Sequence, residues 1–289
     1  MKNTSMMAGV SATLLWALFP AFCKLAMQHT DVYSFYLLRY AVAVGVFAYL
    51  TPGVIRKWTY MPLRARCAIF ALASIHNATQ ALCLQDVPVS WYALFFACSP
   101  LLTYFIMPQH KNAYTYGCLG LAIIGTLIFL QPSELAHVPH ALSLAFLFLS
   151  VISWAFLTKV MADFHKVYQD QEISYILSAS NLVTACVLFA VLQEGPVIRG
   201  SWEQGLFWIA LIGISSPIAA FLFSMSLRHV PSFGIAAQYL ELIFGVLVGY
   251  VFFAEIPTLN QYAGSFLIVM ALLATTWKTI QERRQNAAP

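Results

Sequence analysis

The chain has 289 residues, of which 61% are hydrophobic and only 9% are charged, and its mean hydropathy is +0.76. Soluble domains carry about 25% charged residues, so this composition excludes a soluble globular protein and indicates an integral membrane protein. The formal net charge of +4 belongs mostly to basic segments beside the membrane, so we expect contact with a lipid bilayer and no nucleic-acid partner.

Apolar runs of about 20 residues, the length that crosses a bilayer, recur along the chain. Proline, glycine and charged clusters separate these runs, and the connections are too short for a soluble domain. The pattern predicts ten transmembrane helices, over residues 6–28, 33–51, 65–85, 89–107, 113–131, 140–161, 173–193, 204–226, 231–253 and 259–278. The first run has no convincing cleavage site, so we interpret it as a helix rather than a signal peptide.

The basic residues indicate how these helices are oriented. With the N-terminus in the cytoplasm, most of the 15 Lys and Arg residues fall on the cytoplasmic side. Because basic residues favour that side, we expect both termini to be cytoplasmic, which agrees with an even number of spans. We expect the protein to lie in a bacterial inner membrane.

An internal repeat divides the chain into two halves. LQDVPVS at 84–90 resembles LRHVPSF at 227–233, and SATLLWA at 11–17 resembles SVISWA at 150–155. These matches predict one five-helix repeat over 1–137 and a second over 138–289. Since five is odd, the second half enters the membrane in the opposite sense. Inverted repeats of this kind are typical of transporters, whose substrate site lies where the halves meet.

Neither a metal nor a cofactor is expected. The six cysteines lie singly in apolar runs, without the spacing of a zinc site, and no HExxH sequence occurs. The absence of a Walker A sequence means that transport would have to draw on a gradient or on exchange.

Glu241 is the one charged residue between Val230 and Phe253. Helical spacing places it on one face with Gly234, Gln238 and Gly245, and a small or polar stripe faces protein or a cavity rather than lipid. An acidic residue at the centre of a span costs about 2.5 to 3.5 kcal/mol, so something must compensate it. The carboxylate could exchange a proton, bind a substrate ammonium group, or form a structural pair with Arg39 or Lys24.

Other polar and aromatic residues are predicted to share the site with Glu241. Arg39, about two turns into the second helix, is either a counter-charge to Glu241 or a clamp for a substrate carboxylate. The third helix brings an amide-rich segment, IHNATQALC. The predicted substrate-binding residues are Glu241, Gln238, Arg39, Tyr239, Trp16, His76, Asn77, Gln80, Trp91 and Trp154, with Glu241 also the predicted proton-coupling residue.

Several of these segments resemble the drug/metabolite transporter superfamily, and specifically its ten-helix EamA-like exporters. The resemblance rests on LLWALFPAFCKLA, LQDVPVSWYALFFACSPLLT, GCLGLAIIGTLIF and SLRHVPSFGIAAQYLELIFGVLVGYVFFAEIPTLNQYAGSFLI, which together with Arg39 span nearly the whole chain. It implies an exporter or exchanger of small metabolites, often amino acids or amphipathic compounds. The family commonly has a proline in the middle of the ninth helix, where this chain carries Glu241.

The sequence therefore predicts an all-α membrane protein that acts as a secondary active transporter by alternating access. Its expected partners are a small-molecule substrate and, where transport is proton-coupled, protons; its expected state is a monomer or a weak dimer. The alternatives are a channel or an intramembrane enzyme. The sequence shows no GxSG motif, no paired aspartates and no His beside a Ser on one helix face, so we expect the protein not to be an enzyme.

Overall fold

The computed structural model describes residues 2–87, 92, 95–96, 99–106, 113–129, 141–165, 167–192, 201–253, 256 and 258–285. This part of the chain is helical and contains no β-strand, as predicted for an all-α protein. Its helices are α1 (Lys2–Met27), α2 (Val32–Ala48), α3 (Val54–Tyr60), α4 (Leu63–Cys83), α5 (Ser99–Ile106), α6 (Ala113–Phe129), α7 (Ala141–Phe164), α8 (Asp170–Leu192), α9 (Trp202–His229), α10 (Pro231–Ala237), α11 (Leu240–Phe253) and α12 (Leu259–Gln285).

Five of the described segments are long and apolar enough to cross a membrane. They are Asn3–Met27, Ala141–Phe164, Asp170–Leu192, Trp202–His229 and Phe233–Phe252. Two further apolar helices are shorter, Val32–Ala48 and Tyr116–Phe129. The ten-span arrangement and the position of the termini remain predictions, and the predicted span 89–107 lies only partly within the described residues.

Two features of the helices differ from the sequence prediction. The predicted span 231–253 is divided at Gln238 and Tyr239, where the backbone N–H groups bond three residues back instead of four. These tighter bonds separate α10 from α11 immediately before Glu241. The short helix α3 was not predicted. It begins after Gly53, whose φ of 85° is favourable for glycine.

Local signals explain several helix boundaries. Asp31 precedes α2, and its Oδ1 accepts hydrogen bonds from the backbone N–H groups of Tyr33 and Ser34 at 2.9 and 3.0 Å. This is the usual role of an N-cap aspartate. Pro231 stands at the start of α10, where its missing N–H costs nothing.

The helices pack in pairs that bring distant parts of the chain together. The closest associations are α1 with α9, α4 with α7, α2 with α8, and α6 with α12. The α6–α12 pair crosses at glycines, since a Cβ on Gly125 would lie only 2.8 Å from the Gly264 carbonyl oxygen. The first three pairs surround the centre of the bundle, where the predicted polar residues lie.

Candidate functional site

A partly open cavity lies at the centre of the bundle and spans about 670 Å³ of space free of protein atoms, including the solvent at its mouth. We call it the central cavity. Seven of the ten predicted site residues line it: Trp16, Arg39, His76, Asn77, Gln80, Trp154 and Glu241. They come from α1, α2, α4, α7 and α11, so the packing gathers polar side chains that the sequence separates by more than 200 residues.

Glu241 lies in the first turn of α11 and is only 7% exposed. Its backbone N–H donates to the Gln238 carbonyl oxygen at 3.0 Å. Within the described part of the chain, its carboxylate has neither a hydrogen bond nor an ion pair, and none joins it to Arg39. The described residues therefore do not support the structural pair considered from the sequence, and the carboxylate is left to interact with the contents of the cavity.

Arg39 is also buried, at 3% exposure, and it is held without a carboxylate partner among the described residues. Its Nη2 donates to Ser216 Oγ at 2.8 Å, and its guanidinium carbon lies 4.3 Å from the ring centre of Phe19 and 4.6 Å from that of Tyr40. These rings attract the cation through their faces. The Nε and Nη1 groups are enclosed and have no hydrogen-bond partner among the described residues, so an anionic group could reach them only if the surrounding side chains move.

The amide residues of α4 are partly occupied by the protein itself. Tyr40 Oη donates to Asn77 Oδ1 at 2.6 Å, and Asn77 Nδ2 donates to the Ala73 carbonyl at 3.0 Å. Gln80 Nε2 donates to the hydroxyl of Tyr92. Asn77 and Gln80 therefore line the cavity and also tie α4 to its neighbours, as interhelical amides in membranes commonly do.

An aromatic wall borders the cavity on the side of α1 and α7. Trp16 and Trp154, predicted from the repeat to correspond, meet edge to face with ring centres 5.1 Å apart. Gln238 does not line the cavity but lies behind this wall, where its Oε1 accepts hydrogen bonds from Trp154 Nε1 and Ser99 Oγ. Tyr239 is buried in the core, also away from the lining, and Trp91 lies outside the described residues.

Several lining residues escaped the sequence prediction. They are Phe19, Tyr40, Tyr92, Phe96, Leu157, Leu177, Ser178, Asn181, Ser216, Pro217 and Ala220. Most are aromatic, aliphatic or small, and these residue types also fill membrane helices that face lipid. Asn181 and the Ser216–Pro217 pair were the available signals, because an amide or a proline inside a span commonly has a partner or a structural role.

Two charged residues and a histidine close one end of the bundle, where α7 ends and α8 begins. We call this group the charged end cluster; it comprises His165, Asp170 and Arg228. Arg228 Nε lies 3.2 Å from Asp170 Oδ1, and Arg228 Nη2 donates to the carbonyl of Tyr168. Burial, with the positive charge of Arg228 nearby, lowers the pKa of His165 to about 4, so this imidazole is neutral at pH 7.

A second ion pair lies at the same end of α8. Lys57 Nζ is 2.7 Å from Glu172 Oε1, which joins the short helix α3 to α8. Glu172 Oε2 also accepts a hydrogen bond from the backbone N–H of Gln169 at 2.9 Å. These contacts strengthen the closure made by the charged end cluster.

The opposite end of α8 borders an open, polar vestibule. It spans about 1330 Å³, including open solvent, and is lined by residues that include Lys24, Asp31, Gln85 and Leu192. The two ends of the bundle thus differ, since one is joined by ion pairs and the other is recessed.

Comparison with known proteins supports a transporter and a shared fold. No family model matches the chain. A protein of Helicobacter pylori (strain ATCC 700392 / 26695), named an uncharacterized transporter, is 22% identical over 178 residues, which is 57% of this chain and 57% of that protein. The match therefore spans little more than half of that relative.

A solved structure, named only as the crystal structure of a protein, is similar over nearly the entire chain. The TM-score is 0.75 at 15% identity, with 96% of this chain and 99% of the other covered. At this identity the similarity shows the fold alone. Together with the apolar helices, the Helicobacter pylori relative indicates a multi-pass membrane protein and supports a transporter in general.

Proposed function

We propose that the protein is a secondary active transporter of the drug/metabolite transporter type, which moves an amino acid or a related amphipathic or cationic compound across a bacterial inner membrane. The observation that carries this proposal is the buried Glu241 carboxylate in the central cavity, without a partner among the described residues. An unpaired carboxylate at membrane depth is costly, and such residues commonly bind protons or substrates.

Glu241 would act as the coupling residue. A protonated carboxylate is neutral and is tolerated in a closed, dry cavity, whereas an ionised one requires a cation. A substrate ammonium group would therefore displace the proton and take its place beside the carboxylate. Because proton and substrate compete for one group, their movements would be coupled in opposite directions.

Arg39 would bind the negative group of the substrate. Its guanidinium is held in place by Ser216, Phe19 and Tyr40. Its Nε and Nη1 are enclosed and lack partners among the described residues, so they would become available to the substrate as the surrounding helices move. Guanidinium groups suit carboxylates because they offer several donors in a fixed plane. A cavity with separate positive and negative groups fits a zwitterion, and this favours amino acids within the proposed class.

The helix pairs support two structurally related halves, which we propose to be inverted, with both termini cytoplasmic. Suppose that the helices of the two halves correspond in chain order, with α1 matching α7, α2 matching α8, α4 matching α9 and α6 matching α12. Exchanging the two halves then converts the α1–α9 pair into the α7–α4 pair, and both pairs are observed. The α2–α8 and α6–α12 pairs each map onto themselves. This is the pattern that an axis of twofold symmetry through the centre would produce, and it agrees with repeats over 1–137 and 138–289.

Alternating access would then open one end of the bundle while closing the other. The charged end cluster and the Lys57–Glu172 pair would close the cytoplasmic end in this conformation, and the vestibule would face the opposite side. Breaking these ion pairs would let the cytoplasmic end separate and release or admit substrate.

Uptake into proteoliposomes tests the proposal. A panel of amino acids and organic cations is offered to wild type and Glu241→Gln, with and without a pH gradient, and Glu203→Gln on the exposed start of α9 serves as the matched control. We expect the gradient to drive accumulation by wild type and Glu203→Gln. Glu241→Gln should exchange substrate but lose the gradient-driven accumulation.

Two results contradict the proposal. Gradient-driven accumulation by a folded Glu241→Gln variant would show that this carboxylate is not the coupling group. Flux that neither saturates with substrate nor depends on Glu241 would indicate a channel instead of a transporter.

A further inference from the structure

We propose that His76 determines which head group the substrate can carry, because its Nε2 accepts a hydrogen bond from a substrate N–H group. On this proposal the site selects primary or secondary ammonium groups and rejects quaternary ammonium groups. The inference rests on the proposed function, since it concerns the substrate of the same central cavity.

The contacts of His76 fix the position of its ring proton. Nδ1 lies 3.0 Å from the Ser150 carbonyl oxygen and 3.1 Å from Ser150 Oγ, while Ser150 Oγ donates its own proton to the His76 carbonyl at 3.0 Å. Both neighbours of Nδ1 are therefore acceptors, so Nδ1 must carry the hydrogen. A neutral imidazole has one hydrogen, which leaves the lone pair on Nε2.

The second nitrogen of this ring is open to the cavity. His76 lines the central cavity, and its Nε2 makes no hydrogen bond with a described residue and is not among the fully enclosed polar atoms. The ring itself cannot turn away, because Trp154 lies at 4.9 Å and Phe96 at 5.8 Å between ring centres. The protein thus presents a fixed, neutral acceptor to whatever occupies the cavity.

Among the described residues, Trp154 in the aromatic wall is already packed against other rings, so it is a poor alternative site for a quaternary ammonium group. Such a group requires open ring faces. Phe223 stacks on Trp154 at an interplanar angle of 30°, His76 is tilted against it by 34°, and Trp16 meets it edge-on. Elsewhere in the lining, the Arg39 guanidinium already lies over one face of Phe19 and one face of Tyr40.

Glu241 and His76 therefore divide the recognition of an ammonium group. The carboxylate supplies the negative charge, which attracts any cation. The imidazole supplies an acceptor that only an N–H donor can satisfy, and a quaternary group would leave that buried acceptor without a partner. Discrimination between the two head groups thus depends on His76 and affinity for positive charge depends on Glu241.

Calorimetric titration of the purified full chain in detergent tests this division. The probes are two matched pairs: L-phenylalanine with its N-trimethyl betaine, and 2-phenylethylamine with its N-trimethyl derivative. We expect wild type to bind at least one N–H probe and to bind its trimethylated partner about tenfold more weakly, which corresponds to about 1.4 kcal/mol.

Two substitutions at position 76 separate the two ring nitrogens. In His76→Asn the amide still donates to the Ser150 carbonyl but the Nε2 acceptor is gone, so the preference for the N–H probe should fall to near unity. In His76→Gln the longer amide places an acceptor near the Nε2 position, and the preference should return in part. The control is His165→Asn, which changes a histidine outside the central cavity and should retain the full preference.

The ratio of the two affinities is the decisive quantity, because a general loosening of the site weakens both probes equally. Equal binding of both members of a pair by wild type overturns the inference. So does an unchanged preference in folded His76→Asn, or the failure of every probe to bind. If the protein binds the N–H probe selectively but shows no gradient-driven uptake, the proposed function is rejected and the role of His76 stands. If the gradient drives uptake of both probes at equal rates, the role of His76 is rejected and the proposed function stands.

Discussion

The indole Nε1 of Trp154 donates a hydrogen bond to Gln238 Oε1 across 3.0 Å, and Ser99 Oγ donates to the same oxygen at 2.9 Å. One amide oxygen therefore connects α7, α5 and the junction between α10 and α11. This junction immediately precedes Glu241, so the position of the carboxylate is linked to that of the aromatic wall.

Replacing Gln238 by Leu should destabilise the protein and release Trp154. The substitution leaves two buried donors without an acceptor, and we expect a loss of about 2 kcal/mol in the free energy of unfolding. Tryptophan fluorescence and thermal unfolding in detergent measure both effects. Gln204→Leu, at an exposed position on α9, is the control and should change neither. Equal melting temperatures for both variants would contradict the structural role of the Gln238 amide.

Gly213→Ala should disturb the position of Arg39. A Cβ at Gly213 would lie 2.8 Å from the Val42 Cβ and 2.9 Å from the Arg39 carbonyl oxygen, so α2 and α9 would have to separate. Overpacking of this kind costs about 1 to 3 kcal/mol, and it would stretch the hydrogen bond from Arg39 to Ser216. We expect a lower melting temperature and weaker binding of carboxylate-bearing substrates.

The control for this change is Gly45→Ala on α2. A Cβ there meets nothing within 4 Å, and alanine favours a helix more than glycine does. This variant should therefore be at least as stable as wild type. Identical behaviour of the two alanine variants would show that the close approach of α2 and α9 has no energetic consequence.

Arg228→Gln should open the end of the bundle that the charged end cluster closes. The substitution removes the ion pair with Asp170, so helix separation at this end becomes easier. Ser226 is fully buried beside Gly9, and a cysteine there should react with maleimide only when this end opens. We expect Ser226→Cys to be labelled faster when combined with Arg228→Gln.

This labelling experiment requires a background without the exposed cysteines Cys67 and Cys186, which serine can replace. The same background without Ser226→Cys gives the residual reaction. Arg56→Gln removes an exposed basic residue and should leave the labelling rate unchanged. Equal rates with Arg228→Gln and Arg56→Gln would mean that the ion pair does not control opening.

The stability of the protein should fall as the pH decreases below about 6.5, in part because of His165. Burial and Arg228 lower the pKa of His165 from 6.5 to about 4 in the folded protein. The unfolded chain therefore binds this proton first, so the stability is fully present above pH 6.5 and is lost as the pH falls towards 4. Thermal unfolding of wild type and His165→Gln across this range measures the effect. The variant should lose less stability, and parallel curves would assign the pH dependence to other groups.

The sequence predicted the charged residues and two of the three amides in the cavity lining for a simple physical reason. Ionisable and amide residues are costly in a membrane unless they face a cavity or a partner, so Glu241, Arg39 and His76 could be recognised from their apolar surroundings alone. The helices were predictable because a backbone surrounded by lipid must satisfy its own hydrogen bonds, and a long apolar run does so by forming a helix.

The arrangement of partners was not predictable, because it depends on how helices far apart in the chain pack. Nothing in the sequence distinguishes an Arg39 that pairs with Glu241 from one that binds Ser216 and two aromatic rings. Gln238 shows the same limit. Its spacing placed it on the face of Glu241, but the tighter turn at that point directs it behind Trp154 instead.

The glycine crossing between α6 and α12 bears on how the protein would move. The backbones meet so closely at Gly125 and Gly264 that sliding one helix along the other would bring larger side chains into the contact. These two helices would therefore stay together as a stationary frame while the inner helices rock. A fluorophore placed at the end of α12 would report the frame, and one placed on α9 would follow the transport cycle.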